Sequence, residues 1–248
     1  MRRRHAGAML AAAALALSGC AALPSGPPPL PDSFVPSLSA SSDASASASY
    51  VSDDGFSLPE HAAYRVRVEG CTTYGTGSAF AIDAHTLVTN RHVVEDSVTV
   101  TLTSYDGQEI PVTSVQIDDQ ADLALLTVAQ DLPEWLTLAD AESQPGDTVS
   151  VSGYPSGDSL TTVTGPMHST TPEVFGTDPD DVLVLRVTAA PGSSGSAVVN
   201  AADQVVGVLY AIDADEDGWA YAISLTSLTT MLADPGVRGP VGSICASS

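Results

Sequence analysis

Residues 181–212 read DVLVLRVTAAPGSSGSAVVNAADQVVGVLYAI. Three apolar runs, "DVLVLRVTA", "SAVVN" and "QVVGVLYAI", are broken by Pro, Gly, Ser, Asn and Asp, the residues that supply turns. Each run is too short for a helix and rich in Val, so strands are predicted. The same texture extends in both directions from about residue 60: "YRVRVEG", "GSAFAID", "TLVTNRHVV", "SVTVTLTS", "IPVTSVQID", "LALLTVA", "DTVSVSGYP", "LTTVTG" and "GWAYAIS". Many short strands at near-regular spacing indicate an all-β sandwich or barrel. A parallel βαβ sheet would need helical periodicity between the runs, and there is none. Only "SLTSLTTMLA", residues 224–233, reads as a helix, with Ser224 as its cap, an apolar face of Leu225, Leu228, Met231 and Leu232, and "DPG" to end it.

Upstream the composition changes. Residues 20–57 are dominated by Pro, Ser, Ala and Gly, with too little apolar surface to offset the entropy of ordering, and read as a linker. Residues 1–19 read as a signal segment: Arg2, Arg3, Arg4 and His5 precede the apolar stretch Ala6 to Leu17, which is short for a membrane span. It ends in Leu17-Ser18-Gly19-Cys20, which resembles the bacterial lipobox, so lipidation of Cys20, a membrane anchor and an extracytoplasmic location are expected. That leaves Cys71 and Cys245 of the three cysteines, at the start and near the end of the folded part. In an oxidising compartment they are expected to pair as a disulfide.

The 248 residues carry 30 acidic side chains against 8 basic ones, a formal charge of −22. Phosphate binding needs clustered cations, so nucleic acid is excluded as a partner. The histidines lack ligand spacing and the "DADEDG" turn at 213–218 lacks the pattern of a calcium loop, so no metal and no cofactor are expected.

Within the β region, three residues have the chemistry of nucleophilic hydrolysis, which needs a hydroxyl on a tight turn, a histidine to take its proton and a carboxylate to orient the imidazole. Gly192-Ser193-Ser194-Gly195 can wind the backbone so that the N–H groups of Gly192 and Ser194 point to one spot, the geometry of an oxyanion hole. His92, in "TNRHVVED", stands where the strand "TLVT" ends. Asp122 heads the apolar run "ADLALLTVA", where a carboxylate is costly unless paired.

In the order His92, Asp122, Ser194, these residues, with "GTGSAF", "LVTNRHVV", "DLALL", "PGSSGSAVV", "VVGVLYA" and "GWAYAIS", resemble the trypsin-like serine peptidases, in particular their bacterial HtrA-type and V8-type branch. The placement of Cys71 and Cys245 and the Leu185-Arg186 pair look most like the protease domain of actinobacterial membrane-anchored acid-resistance proteases. The resemblance spans about residues 61–234. It implies two antiparallel six-stranded β-barrels, about 61–135 and 145–225, within a domain of residues 58–248. It also implies a serine endopeptidase acting on polypeptide substrates through an acyl-enzyme. Ser194 takes the nucleophile position because Gly192 lies two before it and Gly195 one after, His92 the general base and Asp122 its orienting partner. Ser193 stands where zymogen-activated relatives carry an Asp, so activation by a freshly cut N-terminus is not expected. The resemblance places the primary pocket at Thr188, Ala189, Tyr210 and Ile212, with no carboxylate at its base. A catalytically idle polypeptide-binding module and an esterase-like hydrolase are the alternative readings. His61 and His85 are expected to be linker and turn residues, and His168 to face solvent.

Overall fold

A computed structural model of the chain describes residues 52–173, 176–213 and 216–241. The signal segment, Cys20, the linker up to residue 51 and Cys245 lie outside them. A one-turn helix, α1 (Leu58–His61), leads into the first barrel. This consists of β1 (Ala63–Glu69), β2 (Tyr74–Ala81), β3 (Thr86–Thr89), β4 (Thr99–Thr103), β5 (Glu109–Asp118) and β6 (Ala124–Val128). All neighbours are antiparallel, in the order β5-β4-β1-β2-β3-β6, and pairing of β5 with β6 closes the ring. Between β3 and β4 lies the helical turn α2 (Arg91–Val94). The second closed barrel holds β7 (Thr148–Gly153), β8 (Thr161–Pro172), β9 (Asp181–Leu185), β10 (Ala197–Val199), β11 (Val205–Ile212) and β12 (Ala220–Ser224), in the order β10-β11-β12-β9-β8-β7. The fold is therefore the expected pair of six-stranded antiparallel barrels.

Closure removes free sheet edges and gives every strand one inward and one outward face. Tyr64, Val66, Leu87, Leu102, Leu126 and Val128 fill the first barrel. Val149, Val151, Met167, Leu183, Leu185, Val206 and Leu209 fill the second. A third core joins them: Phe80, Val88, Leu123 and Leu125 from the first barrel meet Val182, Val199, Val208 and Ile223 from the second. This explains why "LALL" is apolar without alternation. Leu126 points into its own barrel, whereas Leu123 and Leu125 point at the neighbouring one. Each fully buried Leu, Ile or Phe contributes about 1.5–3 kcal/mol, so the joint between the barrels is a core in its own right.

Helix α3 (Leu225–Ala233) begins as expected, Ser224 Oγ accepting from the Ser227 N–H, and buries Leu228 and Met231 in that third core. Two elements depart from the sequence reading. The strand "TLVT" stops at Thr89, so that "RHVV" forms α2 instead of continuing; Asn90 takes the extended N-cap conformation and the turn buries Val93 and Val94. A thirteenth strand, β13 (Arg238–Pro240), returns to the first barrel and pairs with β5, Arg238 opposite Asp118.

Candidate active site

The β3–β6 pairing sets Thr89 opposite Ala124, which brings the start of α2 beside the residue preceding β6 by two positions, Asp122. Asn90 Nδ2 donates to the Asp122 carbonyl at 2.9 Å. Both carboxylate oxygens of Asp122 are used on one residue: Oδ1 accepts the His92 backbone N–H at 2.8 Å and Oδ2 lies 2.6 Å from His92 Nδ1. An ionised carboxylate only accepts, so Nδ1 carries the proton and Nε2 is left as a base. Asp122 is 3 % exposed, whereas the imidazole opens to solvent. The buried carboxylate costs little because it has a charge-assisted partner.

Ser194 sits on the connection from β9 to β10, directly after a turn closed by the Ser193 N–H on the Ala190 carbonyl at 2.9 Å. Pro191 and then Gly192, at φ +96°, occupy its central positions, the signature of a type II turn. Gly195 (φ +89°) is equally constrained, since a Cβ there would lie 2.0 Å from the Ser78 carbonyl oxygen. The Gly195 N–H bonds the Leu209 carbonyl, and the Ser193 carbonyl accepts from the Ser196 N–H. Among the described residues the N–H groups of Gly192 and Ser194 are left without an acceptor, as an oxyanion site requires. The Ser194 hydroxyl bonds the Tyr210 carbonyl at 3.4 Å and not the imidazole. The structure thus brings His92 and Asp122 into contact, while Ser194 Oγ is directed to the Tyr210 carbonyl.

Two hollows share Tyr210 and Ala211 in their lining. One of about 260 Å³ is lined by His92, Asp122, Thr177, Tyr210 and Ala211. The other, about 210 Å³, is lined by Ala190, Pro191, Ser194, Leu209, Tyr210 and Ile212. Tyr210 and Ile212 of the expected primary pocket are there. Thr188 and Ala189 do not line it: Thr188 is exposed and Ala189 packs against the second barrel's core. Burial and a hydrogen bond to Glu173 push the Tyr210 hydroxyl well above the usual phenol range.

The remaining histidines are placed elsewhere. His61 is buried, with Nδ1 3.0 Å from Glu134 and Nε2 2.9 Å from Asp54, so it is a structural residue and not part of a loose linker. His85 lies in an exposed turn, and exposed His168 meets the Trp219 ring edge-on at 4.8 Å. The sequence reading missed Asn90, Ser78 and Ser156. Asn90 lies two positions before His92, and that adjacency was the available signal; Ser78 reaches the nucleophile loop from the first barrel and Ser156 from the turn after β7, distant in sequence, which no local pattern announces.

Residues 76–208 match the family model described as "Trypsin-like peptidase domain". The serine protease Rv3671c of Mycobacterium tuberculosis is 29 % identical over 180 residues, covering 69 % of this chain and 45 % of that protein. The crystal structure of its active protease form superimposes with a TM-score of 0.66 at 28 % identity, covering 77 % of this chain and 87 % of that one. The HtrA-type protease AlgW with a tripeptide gives 0.64 at 26 % identity, covering 70 % and 60 %. The chain spans less than half the length of the curated relatives it matches. With a family model aligned from β2 to β11 and both barrels in place, the chain belongs to the trypsin-like peptidase domain family.

Proposed function

We propose that this chain is a serine-type endopeptidase that acts outside the cytoplasm through His92, Asp122 and Ser194. The observation that carries the proposal is the Asp122–His92 pair, two hydrogen bonds that fix the tautomer with Nε2 as base, beside a serine whose loop leaves two N–H groups free. In the mechanism Ser194 Oγ turns to the imidazole and attacks a peptide carbonyl while His92 takes its proton. The Gly192 and Ser194 N–H groups receive the developing oxyanion, each typically worth about 10²–10³ in rate. His92 then protonates the leaving amine, and water activated by the same imidazole hydrolyses the acyl-enzyme. No carboxylate or cation lines the 210 Å³ hollow beside Ser194, which fits an uncharged, apolar substrate side chain.

Export is supported by the signal-like segment and by similarity to a Chlamydia trachomatis protein named as a DegP-like periplasmic serine endoprotease, 30 % identical over 166 residues. Anchoring through lipidated Cys20 rests on the lipobox resemblance. The Cys71–Cys245 disulfide is supported by Cys71 being disulfide-bonded; two alkylatable thiols in the unreduced, denatured protein would refute that pairing.

The test of the activity is fluorophosphonate labelling of the full chain, mapped by peptide mass spectrometry, beside His92→Ala. An adduct on Ser194 that vanishes in the variant, together with turnover of a peptide library, is the expected result. Folded protein that takes no label, or cleaves only simple esters, overturns the endopeptidase reading.

A further inference from the structure

The two N–H groups of the oxyanion site belong to trans peptides, so each points opposite the carbonyl of its own peptide unit. Whatever holds those carbonyls aims the site. The Ser193 carbonyl is held locally by Ser196 N–H at 3.1 Å. The Pro191 carbonyl, at the other end of the Gly192 N–H, is held at 2.6 Å by the backbone N–H of Ser156, from the turn Pro155–Gly157 after β7. The next carbonyl, that of Gly192, accepts the buried Ser78 hydroxyl of β2 at 2.8 Å, and the same hydroxyl accepts the Tyr154 N–H at 2.9 Å. The Ser78 backbone N–H also bonds the Ser194 carbonyl at 2.8 Å. Rotating the Pro191–Gly192 peptide would turn its carbonyl into the oxyanion site and break the Ser156 bond.

The Ser156 donor is not relaxed. Ser156 has φ +59°, a left-handed conformation that is costly for a side chain with a Cβ. It is kept there by the turn bonds Gly157 N–H to Tyr154 carbonyl and Asp158 N–H to Pro155 carbonyl, and, besides the Pro191 bond itself, by a side-chain contact from outside the turn. In that contact Arg65 Nη1, from β1, donates to the Gly157 carbonyl at 3.1 Å, with the guanidinium 6.0 Å from the Tyr154 ring.

We propose that Ser78 and Arg65, two first-barrel residues that lie outside the triad, are positioning residues for the oxyanion site: Ser78 by holding the Gly192 carbonyl, and Arg65 by fixing the turn whose Ser156 N–H holds the Pro191 carbonyl. The inference rests on the peptidase reading above. The N–H groups they aim meet full negative charge only as the oxyanion develops, so their effect falls on the transition state more than on ground-state binding.

The experiment compares wild type, Ser78→Ala, Arg65→Met and Arg65→Lys as full chains, using a cleavable peptide, a peptide aldehyde that forms a tetrahedral adduct with Ser194, and the matching product acid. Ser78→Ala is expected to lower kcat about 10–100-fold, less than outright loss of an oxyanion donor, with KM and product binding unchanged. Aldehyde affinity should fall by the same factor. Arg65→Met should lower both about 3–10-fold on the same grounds, and Arg65→Lys, which keeps a donor, should recover most of the loss. A merely structural role would lower the active fraction without changing aldehyde affinity per active site, and that result overturns the proposal. So do wild-type kcat and aldehyde affinity in both Ser78→Ala and Arg65→Met; should Ser78→Ala not fold, the Arg65 pair decides alone. A wild type that neither turns over nor binds the aldehyde sinks the peptidase reading together with this one.

Discussion

Asp122→Asn changes one atom and makes the sharpest test of the site. In the wild type both Asp122 oxygens accept, one from the His92 backbone N–H at 2.8 Å and one from Nδ1 at 2.6 Å. An amide has one acceptor and one donor at those positions. If its oxygen keeps the backbone N–H, its NH₂ faces Nδ1; the ring must then carry its proton on Nε2 and can no longer take one from serine. If the oxygen instead keeps Nδ1–H, the NH₂ opposes a backbone donor at a site only 3 % exposed, where no water relieves the clash. An unmade buried hydrogen bond costs about 1–3 kcal/mol, so the active orientation falls to roughly one part in 5 to 150. Loss of the carboxylate's charge beside the imidazolium adds to this, for a total of about 10³–10⁴ in kcat. Fluorophosphonate labelling of Ser194 and peptide turnover measure the loss, with a thermal melt confirming that the near-isosteric variant is folded. Labelling within tenfold of wild type would refute the role of Asp122 in fixing the tautomer.

Four further outcomes follow from the same geometry. Gly195→Ala would place a Cβ 2.0 Å from the Ser78 carbonyl oxygen at φ +89°; a loss of about 3–5 kcal/mol in urea unfolding is expected, and a change below 1 kcal/mol would contradict the packing. For His61, burial lowers the pKa, but hydrogen bonds to Glu134 and Asp54 outweigh it and raise the pKa above the usual value. The stability it contributes is therefore complete below about pH 6.5 and fades as pH rises through the folded value. The urea-midpoint gap between wild type and His61→Gln should narrow between pH 5.5 and 8.5, and a widening gap would reverse the sign. Asp178 is pushed up to about 6 by burial and by the neighbouring charges of Asp180 and Glu173, despite hydrogen bonds from the Asp180 N–H and Ser227. With its folded pKa above the unfolded one, it costs stability as pH rises through 6, so Asp178→Asn should stabilise the chain by about 1–3 kcal/mol at pH 8 and do little at pH 4. A P1-diversified peptide library should show apolar preference, and selective cleavage after Arg or Lys would mean that the hollow at Ala190, Leu209 and Ile212 is not the specificity pocket.

The residues of the proposed triad stand out in the sequence because each sits in a setting with a local chemical signature: an acid heading an apolar run, a histidine at a strand end, a serine between glycines. The strands were legible wherever apolar residues outnumber polar ones. The continuous apolar runs around β6 and β11 even carried the information that two cores lie on either side, Val206 and Leu209 serving one and Val205, Val208 and Tyr210 the other. The four-residue α2 was not, since one turn is too short to show a 3.6 period. Nor was β13, whose Arg-Gly-Pro has neither alternation nor bulk. Of the residues assigned to the primary pocket, Tyr210 and Ile212 line the hollow beside Ser194 and Thr188 and Ala189 do not, since that lining depends on how residues 186–196 wind around the left-handed Gly192, which no local pattern shows. His61 was read as a linker residue because its partners, Asp54 and Glu134, are acids with no motif, one of them 73 positions away.

Division of the site between the barrels has a consequence for the life of the chain before it is finished. Ser78, His92 and Asp122 are synthesised first, and Ser194 follows 72 residues after the last of them. A nascent or half-folded molecule therefore has a base with nothing to activate, or a serine in a loop whose carbonyls are unheld. The proposed chemistry starts only when the shared apolar joint has closed. On the proposed function, a chain exported unfolded can cleave nothing, its own copies included, until its last β-hairpins are home.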